Sequence, residues 1–318
     1  MHVRTGILIA AVKLDVFTKI AAGRRTVSAL AKACKASPRG LQAILNELTA
    51  EKFLRKSGSK YLLGPEADCF LVRGRPDYLG EYVVRMKFSW QEWKDLAGVV
   101  RRGRPRHAVN REATGARFFP KLAEVLFPGN FLIARDVAAK LLPGRRRQGW
   151  RILDVGCGAA PWSIAFALRD PTTRVSALDL PEVLKVTKRF AARHGVGKQY
   201  EYLPGTLQKR DFGRDRYDLI LLGHILHSEG ARGNRVLIRR CRRALKKGGQ
   251  LLVIEINPNA RRDGPVFPLV FAVNMLMFTD EGDAFPFEEI RSWCREANFR
   301  SVRRFRSASV SPLILARK

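Results

Sequence analysis

The sequence has few cysteines and no long hydrophobic run. Its five cysteines are scattered over 318 residues without a close pair, which is typical of neither a disulfide framework nor a zinc knuckle. The longest apolar stretch, residues 266–278, is short and is interrupted by Pro268 and Asn274, so it does not predict a membrane span. A signal-peptide pattern is also absent. These absences predict a cytoplasmic protein that holds no metal ion.

Acidic residues are scarce as well. The chain has 59 Lys and Arg residues against 29 Asp and Glu residues, a formal net charge of +30. A field of that size attracts polyanions such as nucleic acid or an acidic membrane surface. The basic pairs recur along the whole chain, however, and do not form one tail or one helix face. This distribution favours a basic solvated surface, and it disfavours a specific nucleic-acid site without excluding one.

The first part of the chain, residues 1–75, has the pattern of a small helical domain. Residues 7–21 are apolar on most helical turns and predict one helix. Thr26 and Ser37 are predicted N-caps of two further helices. Two short extended runs then flank a turn that contains Gly58. Helix, turn, helix and a two-stranded wing together predict a winged-helix domain.

The pattern changes twice after that domain. Residues 76–144 predict helices rich in aromatic side chains, which could form a pocket wall or ordinary packing, and a punctuated run at 143–147 predicts a domain boundary. Residues 145–318 alternate short apolar strands with helices. Two extended runs at the end can pair only antiparallel. The predicted fold class is α/β: a Rossmann-like doubly wound sheet with a C-terminal antiparallel strand pair, preceded by the α-helical winged-helix domain.

A glycine-rich loop follows the first predicted strand of that sheet. Gly156 and Gly158, just after Asp154, let the main chain turn sharply and lie against a ligand, at the strand end where such sheets bind ligands. The third glycine of a pyrophosphate-binding loop is missing, since Pro161 opens the helix there. Asp179, which ends the second strand, can accept both hydroxyls of a ribose. Loop and carboxylate together suit any adenosine-containing cofactor.

Over nearly its whole length the chain resembles the class I S-adenosylmethionine-dependent O-methyltransferases of the plant caffeate and bacterial antibiotic or hydroxyneurosporene type. The resemblance implies that Gly156 and Asp179 bind S-adenosylmethionine, and that the N-terminal domain joins two subunits in a homodimer. The family's Gly-Asp after strand three is replaced here by Gly205-Thr206, a departure at the adenine contact. The other residues predicted to line the cofactor site are Asp154, Gly158, Leu180, Leu207 and Gly223.

The same resemblance implies a catalytic histidine just past strand four. The family carries His-Asp-Trp there, and the matching residue is His227, with Glu255 at the end of strand five as its supporting carboxylate. An imidazole oriented by a carboxylate can take a hydroxyl proton at neutral pH, although a lone histidine after a strand is also often structural. His224 is the weaker candidate base. The family's second glutamate is absent, and Asp283 is the candidate substitute.

An apolar segment follows strand five and lies over the acceptor in the resembling family. Phe271, Met275 and Met277, together with Trp90, are therefore predicted to line the acceptor pocket, and plain core packing fits these residues equally well. The predicted function is S-adenosylmethionine-dependent methyl transfer to a hydroxyl of a small aromatic or polyketide-like acceptor. N- or C-methylation stays open. Two further alternatives are a winged-helix DNA-binding regulator with a sensing or relic cofactor domain, and an RNA methyltransferase suggested by charge alone.

Overall fold

The computed structural model describes residues 2–85, 93–142, 149–309 and 312–318. These fall into two units, residues 1–88 and 89–318, which are considered separately below. Within the described ranges, no helix combines the length and the apolar character that crossing a membrane requires. The boundary expected at 143–147 lies outside the described residues, so the division into 1–75, 76–144 and 145–318 stays a prediction.

The first unit contains the predicted helices and wing. Thr26 Oγ1 accepts a hydrogen bond from Ala29 N at 3.3 Å, and Ser37 Oγ accepts one from Gly40 N at 3.4 Å, which confirms both N-caps. The elements of this unit are α1 (His2–Lys13), α2 (Val16–Ala21), α3 (Val27–Cys34), α4 (Pro38–Ala50), β1 (Leu54–Ser57), β2 (Lys60–Leu63), α5 (Pro65–Phe70) and α6 (Gly80–Arg85). Strands β1 and β2 pair antiparallel and form the wing.

One expectation about this unit was wrong. The single helix predicted over residues 7–21 is divided into α1 and α2, because Asp15 adopts the left-handed conformation with φ 57°. Aspartate tolerates that conformation better than most residues, and Lys19 Nζ lies 3.7 Å from its carboxylate. The apolar pattern runs across the break because Val12 and Val16, on either side of it, pack into the same core.

The second unit is built around a seven-stranded sheet. Its elements are α7 (Leu96–Arg102), α8 (Glu112–Leu141), β3 (Arg151–Val155), α9 (Pro161–Arg169), β4 (Arg174–Asp179), α10 (Pro181–Arg193), a 3-10 turn (Gly197–Gln199), β5 (Tyr200–Pro204), β6 (Tyr217–Gly223), α11 (Leu226–Ala244), β7 (Leu245–Ile254), α12 (Val266–Phe278), α13 (Phe287–Glu296), β8 (Ser301–Phe305) and β9 (Leu313–Arg317).

The strand order confirms the predicted fold class. The sheet runs β5-β4-β3-β6-β7-β9-β8. Strands β3 to β7 are parallel, whereas β9 pairs antiparallel with both β7 and β8, as predicted for the two terminal runs. The chain steps outward from β3 to β5 and then returns to place β6 on the other side of β3. This reversal opens a crevice at the carboxyl ends of β3 and β6, where doubly wound sheets bind their ligands.

Alternate residues of each strand pack on opposite faces of the sheet. Ile152 lies in one buried cluster with Phe166 of α9, and its neighbour Leu153 lies in a second cluster with Leu237 of α11. All of these residues are buried. Because helices cover both faces, most positions in the central strands are apolar, which explains why these strands form nearly continuous hydrophobic runs in the sequence.

Part of the predicted aromatic segment serves packing. Helix α8 lies against α9 and α10, and the Phe127 ring of α8 is 4.5 Å from the Phe190 ring of α10. Phe131 stacks on Phe127 at 5.0 Å and also contacts His194. These aromatic side chains therefore fix α8 on the sheet domain.

Candidate active site

The glycine loop after β3 lies in the crevice at the carboxyl edge of the sheet. Gly156 and Gly158 have φ +62° and +58°, conformations that favour glycine. A Cβ atom at Gly156 would overlap the Ile225 side chain. The Gly156 amide donates to Leu178 O at 2.8 Å, and this bond ties the loop to the end of β4. The backbone of the loop is thus held open toward the crevice, with no side chain at the two glycines.

Asp179 faces this loop from the end of β4. Its Oδ2 accepts a hydrogen bond from Gly158 N at 2.8 Å, and its Oδ1 accepts one from Leu180 N at 2.7 Å. Each oxygen keeps a lone pair for a further donor. Burial raises the pKa of the Asp179 carboxyl to about 6, while the two main-chain bonds lower it. A carboxylate with spare lone pairs beside a glycine loop fits the ribose hydroxyls of an adenosine cofactor.

Asp154 lies beneath the loop. Its carboxylate is 1% exposed and accepts a hydrogen bond from Ser163 Oγ at 2.5 Å, and Ser163 Oγ in turn accepts one from the Tyr200 hydroxyl at 3.0 Å. Burial raises the pKa of Asp154 to about 7. These contacts join the end of β3 to α9, the two elements that flank the loop, and the predicted contact of Asp154 with the cofactor stays a prediction.

The remaining predicted cofactor residues share the same sheet edge. Leu180 is the residue before α10 and is buried. Gly205 N donates to Asp179 O at 3.0 Å, which brings the loop after β5 next to that carboxylate. In this loop Thr206 O accepts from Arg210 N at 3.0 Å, and Leu207 packs partly against the core. Their positions suit a role beside the cofactor, and that role remains a prediction.

The structure brings His227 and Glu255 into contact. His227 Nδ1 lies 2.8 Å from Glu255 Oε2, and Glu255, only 4% exposed, also accepts from Leu226 N at 2.7 Å through Oε1. Burial raises the pKa of the Glu255 carboxyl, but the adjacent His227 and the hydrogen bonds lower it, and the net pKa lies below its usual value. Because an ionised carboxylate can only accept, we assign the proton of His227 to Nδ1, which leaves the Nε2 lone pair free.

The surroundings of His227 include part of the predicted acceptor segment. The Phe271 ring of α12 stands perpendicular to the imidazole at 4.9 Å, and Met275 and Met277 of the same helix are buried. Asp283 contacts His227 through the main chain, with its N donating to His227 O at 2.9 Å. Trp90 lies outside the described residues.

Asp283 does not direct its carboxylate to the imidazole. Its Oδ2 lies 2.9 Å from Arg262 Nη1, and its Oδ1 accepts from Ala284 N at 2.7 Å. These bonds give no support to Asp283 as a replacement for the family's second glutamate.

His224 lies beside His227 and carries a strained backbone. Its φ is +61°, uncommon for a residue other than glycine, and its N donates to Ile254 O at 2.9 Å. The imidazole is 6.3 Å from the Trp162 ring, which also packs where a Cβ at Gly223 would lie. Burial lowers the pKa of His224 to about 4, so its imidazole is neutral at physiological pH.

His224, His227 and Glu255 also form a group of potential metal ligands. Their ligating atoms all lie within 4.8 Å of one another, and no second group of this kind occurs in the part of the chain that the structure describes. The absence of a close pair of cysteines had predicted a protein without a bound metal ion, and histidines were not part of that prediction. The spacing of His224 and His227, three residues apart, was the available signal, but Glu255 is 28 residues further along the chain than His227.

Several supporting residues had no signal in the sequence. Asn110 Nδ2 donates to Ser228 O at 2.9 Å, although 118 positions separate the two residues. Arg111 forms two hydrogen bonds with the Asp280 carboxylate, at 2.8 and 2.9 Å. Asn234 Nδ2 donates to Leu226 O at 2.8 Å. Together these bonds fix the start of α11 and the chain that follows α12.

Comparison with known protein families identifies the family to which this chain belongs. Residues 137–300 match the O-methyltransferase domain, and residues 1–73 match the O-methyltransferase dimerisation domain. The chain belongs to the O-methyltransferase family. It is a methyltransferase that uses S-adenosylmethionine, so the predicted family, enzyme class and cofactor are confirmed.

Individual relatives match this O-methyltransferase along most of its length. The 3-hydroxy-5-methyl-1-naphthoate 3-O-methyltransferase of Streptomyces sahachiroi is 30% identical, over 96% of this chain and 89% of that protein. The tetracenomycin polyketide synthesis 8-O-methyl transferase TcmO of Streptomyces glaucescens is 29% identical, over 98% and 92%. A Nostoc punctiforme protein described as an O-methyltransferase has a similar crystal structure, with a TM-score of 0.86 at 27% identity over 100% of this chain and 96% of that one.

The comparisons also bear on the alternative functions. The segment predicted as a winged helix matches a dimerisation domain. In that segment Tyr61, fully buried, donates from its hydroxyl to Asn46 Oδ1 at 2.8 Å and accepts from Gln42 Nε2 at 3.3 Å. Two polar side chains of α4, the helix that a DNA-binding regulator would place in the major groove, are thus bonded to the wing. Neither the regulator nor the RNA methyltransferase gains support from these observations.

Proposed function

We propose that this enzyme methylates a hydroxyl of a flat aromatic, polyketide-like acceptor, with His227 as general base and Glu255 as the group that orients it. The observation that carries the proposal is the 2.8 Å bond from His227 Nδ1 to the 4%-exposed carboxylate of Glu255. A buried, ionised carboxylate in that position fixes the tautomer of the imidazole and stabilises the charge that the imidazole gains when it takes a proton.

Each group has a defined part in the reaction. S-adenosylmethionine, when bound, supplies an electrophilic methyl group. The glycine loop and Asp179 are proposed to hold the adenosine part of the cofactor at the sheet edge. His227 Nε2 then accepts the proton of the acceptor hydroxyl, and Glu255 keeps the ring in place. Positioning of the two reactants supplies much of the rate, and a general base contributes about 10²–10⁴-fold.

The acceptor class rests on the residues near His227 and on the two Streptomyces relatives, which are named for a hydroxynaphthoate and for tetracenomycin polyketide synthesis. Phe271 offers an aromatic face beside the base, and Met275 and Met277 can adapt to a flat ring system. Asn274, in the same helix, has a buried Oδ1 with no hydrogen-bond partner among the described residues. A second hydroxyl on the acceptor would satisfy this oxygen, since a buried unpaired acceptor is costly.

The proposed functional state is a homodimer joined through the N-terminal unit. The match of residues 1–73 to a dimerisation domain supports this assembly.

Substitution of His227 by Gln tests the proposed base. We expect the His227→Gln enzyme to bind S-adenosylhomocysteine as the unaltered enzyme does, and to lose about 10²–10⁴-fold in kcat. Labelled methyl transfer to a panel of hydroxynaphthoates and polycyclic phenols measures turnover, and calorimetry measures binding. Glu255→Gln should lower kcat in the same direction.

The matched control for that experiment is His107→Gln, an exposed histidine of the same unit, which should leave kcat unchanged. Unchanged turnover in His227→Gln would remove His227 as the base. Transfer to amines but to none of the hydroxyl compounds would overturn the proposed acceptor class.

A further inference from the structure

Two imidazoles and a carboxylate converge at the carboxyl ends of β6 and β7. The ring centroids of His224 and His227 are 6.2 Å apart, and the ligating atoms of both rings and of Glu255 lie within 4.8 Å of one another. Two imidazoles that share one tetrahedral Zn²⁺ have ring centroids about 5 Å apart, given Zn–N distances of about 2.0–2.1 Å. A closing movement of roughly 1 Å would therefore bring both rings onto one cation.

We propose that His224 and His227 bind a divalent transition-metal cation, best represented by Zn²⁺, and that this cation reversibly inhibits methyl transfer. The bound cation takes the Nε2 lone pair of His227, the position at which the acceptor hydroxyl would deliver its proton. Only the effect on turnover rests on the proposed function of His227. The cation site itself rests on the geometry of the three side chains.

Glu255 prepares His227 to be a metal ligand. Zinc-bound histidines commonly donate their second ring N–H to a carboxylate, which orients the ring and raises its basicity. His227 Nδ1 already makes this bond to Glu255 Oε2 at 2.8 Å, and Leu226 N holds the other carboxylate oxygen at 2.7 Å. The same arrangement that suits a general base thus also suits a metal-bound imidazole.

His224 is held next to His227 by its own backbone. Its left-handed conformation, φ +61°, and its bond from N to Ile254 O at 2.9 Å anchor it to the end of β7. Backbone strain of this kind concentrates at functional sites. No part of the mechanism proposed above uses His224, so its conformation and its position beside the base call for a separate account.

The local charge favours a cation in spite of the net charge of +30. Exposed charges are screened beyond about 8 Å at physiological ionic strength, whereas Glu255 is buried in direct contact with His227. Imidazole nitrogen also selects Zn²⁺, Cu²⁺ or Ni²⁺ over Mg²⁺ and Ca²⁺, which prefer oxygen ligands. The site should therefore discriminate strongly between these two groups of cations.

Metal titration of the full chain, free of any affinity tag, tests the site without acceptor or turnover. Calorimetry with Zn²⁺ and visible absorption with Co²⁺ should show one equivalent bound per chain, and Mg²⁺ should not compete. We expect His224→Asn to weaken Zn²⁺ binding more than tenfold, since asparagine keeps the left-handed backbone but is a poor ligand. Glu255→Gln should weaken it by about 10–100-fold.

Two further variants complete the test. His107→Asn, which removes an exposed histidine, should bind Zn²⁺ as the unaltered chain does, and His224→Cys should retain binding because it keeps a metal-ligating atom. Absence of Zn²⁺ binding by the unaltered chain would overturn the proposal. So would equal affinity in His224→Asn and the unaltered chain, or loss of binding in both His224 variants.

Measurements of methyl transfer with and without Zn²⁺ distinguish the proposed cation site from the proposed role of His227 as general base. Zn²⁺ should inhibit the unaltered enzyme and His107→Asn equally, a chelator should restore turnover, and His224→Asn should resist inhibition. If Zn²⁺ binds at the site without slowing methyl transfer, the inhibitory role is overturned. Unchanged turnover in His227→Gln would refute the base and leave the measured metal affinities as they are.

Discussion

Burial changes the pH range over which the Asp179 side chain is ionised. A carboxyl with an ordinary pKa of 3.8 would be ionised throughout the physiological range, but burial raises the pKa of Asp179 to about 6. The carboxylate that is proposed to accept the ribose hydroxyls is therefore present above pH 6 and is progressively protonated below it. Protonation turns one acceptor oxygen into a donor, so cofactor binding is expected to weaken as the pH falls below about 6.

We predict that the affinity for S-adenosylhomocysteine falls by about tenfold between pH 7.5 and pH 5, because the competent carboxylate is lost as pH falls through its raised pKa. Calorimetry across this range measures the effect. Asp179→Asn should bind weakly at every pH. Asp154→Asn should keep the pH dependence, although burial also raises the pKa of Asp154, to about 7. An affinity of the unaltered protein that does not vary with pH would contradict the role of Asp179.

The positions of His224 and His227 were only partly predictable from the sequence. Resemblance to the family pointed to His227 and Glu255, and the structure places them 2.8 Å apart. The three-residue spacing of His224 and His227 was visible in the sequence, but the left-handed backbone of His224 and the contact of this pair with Glu255 were not. The backbone conformation of His224 and the distance from the histidines to Glu255 depend on how β6 packs against β7. The identities of these residues do not determine that packing.

Helix α11 carries His227, the proposed base, and its backbone is interrupted at Gly230. The helix begins at Leu226 and is broken at Gly230, which has φ 66° and ψ 165°. Only glycine adopts that conformation readily. A Cβ at Gly230 would lie 2.8 Å from the Cβ of Glu281. The break thus lets the loop after α12 pack against the short turn that carries His227.

We predict that Gly230→Ala lowers the free energy of unfolding by about 1–3 kcal/mol, because it adds backbone strain and a clash with Glu281. Gly233→Ala is the matched control in the same helix. Its backbone φ is not in the left-handed region, and its Cβ would meet nothing closer than 3.5 Å, so it should be neutral or should stabilise by about 0.5–1 kcal/mol. Denaturant unfolding measures both. Equal stability of the two variants would refute the strain at Gly230.

The whole molecule carries a charge that methyl transfer does not require. The net charge of +30 is spread along the chain, and many basic residues pair with carboxylates, as Arg111 does with Asp280 and Lys246 with Asp218. Such exposed pairs contribute little to stability. The excess positive charge should act on polyanions in a general way, through counterion release and without base recognition.

We therefore predict that random duplex DNA binds at low salt and is released as salt rises, with a loss of affinity of at least about 10³-fold between 50 and 200 mM salt. Fluorescence anisotropy with two unrelated duplexes measures this dependence. The two curves should coincide. Tight binding at physiological salt that prefers one duplex would instead indicate the DNA-binding regulator that was considered from the sequence.

The amino-acid sequence alone was sufficient for the features that depend on local chemistry. The N-caps at Thr26 and Ser37, the glycine loop at Gly156, and the alternation of strands and helices follow from backbone preference and side-chain period, which a short window of residues already contains. Resemblance to a known family then supplied the cofactor and the candidate catalytic pair, His227 and Glu255. The break at Asp15 was missed because apolar residues continue across it.

Only the tertiary structure decided how distant residues meet. The carboxylate of Asp283 turns to Arg262, Asn110 holds the start of α11, and His224 joins His227 and Glu255 in one cluster. Each of these contacts joins segments that are separated in the chain and are brought together by strand order and loop packing. A distance of a few ångströms between such groups depends on the whole arrangement of the sheet, and it determines whether a histidine can act as a base, a metal ligand or both.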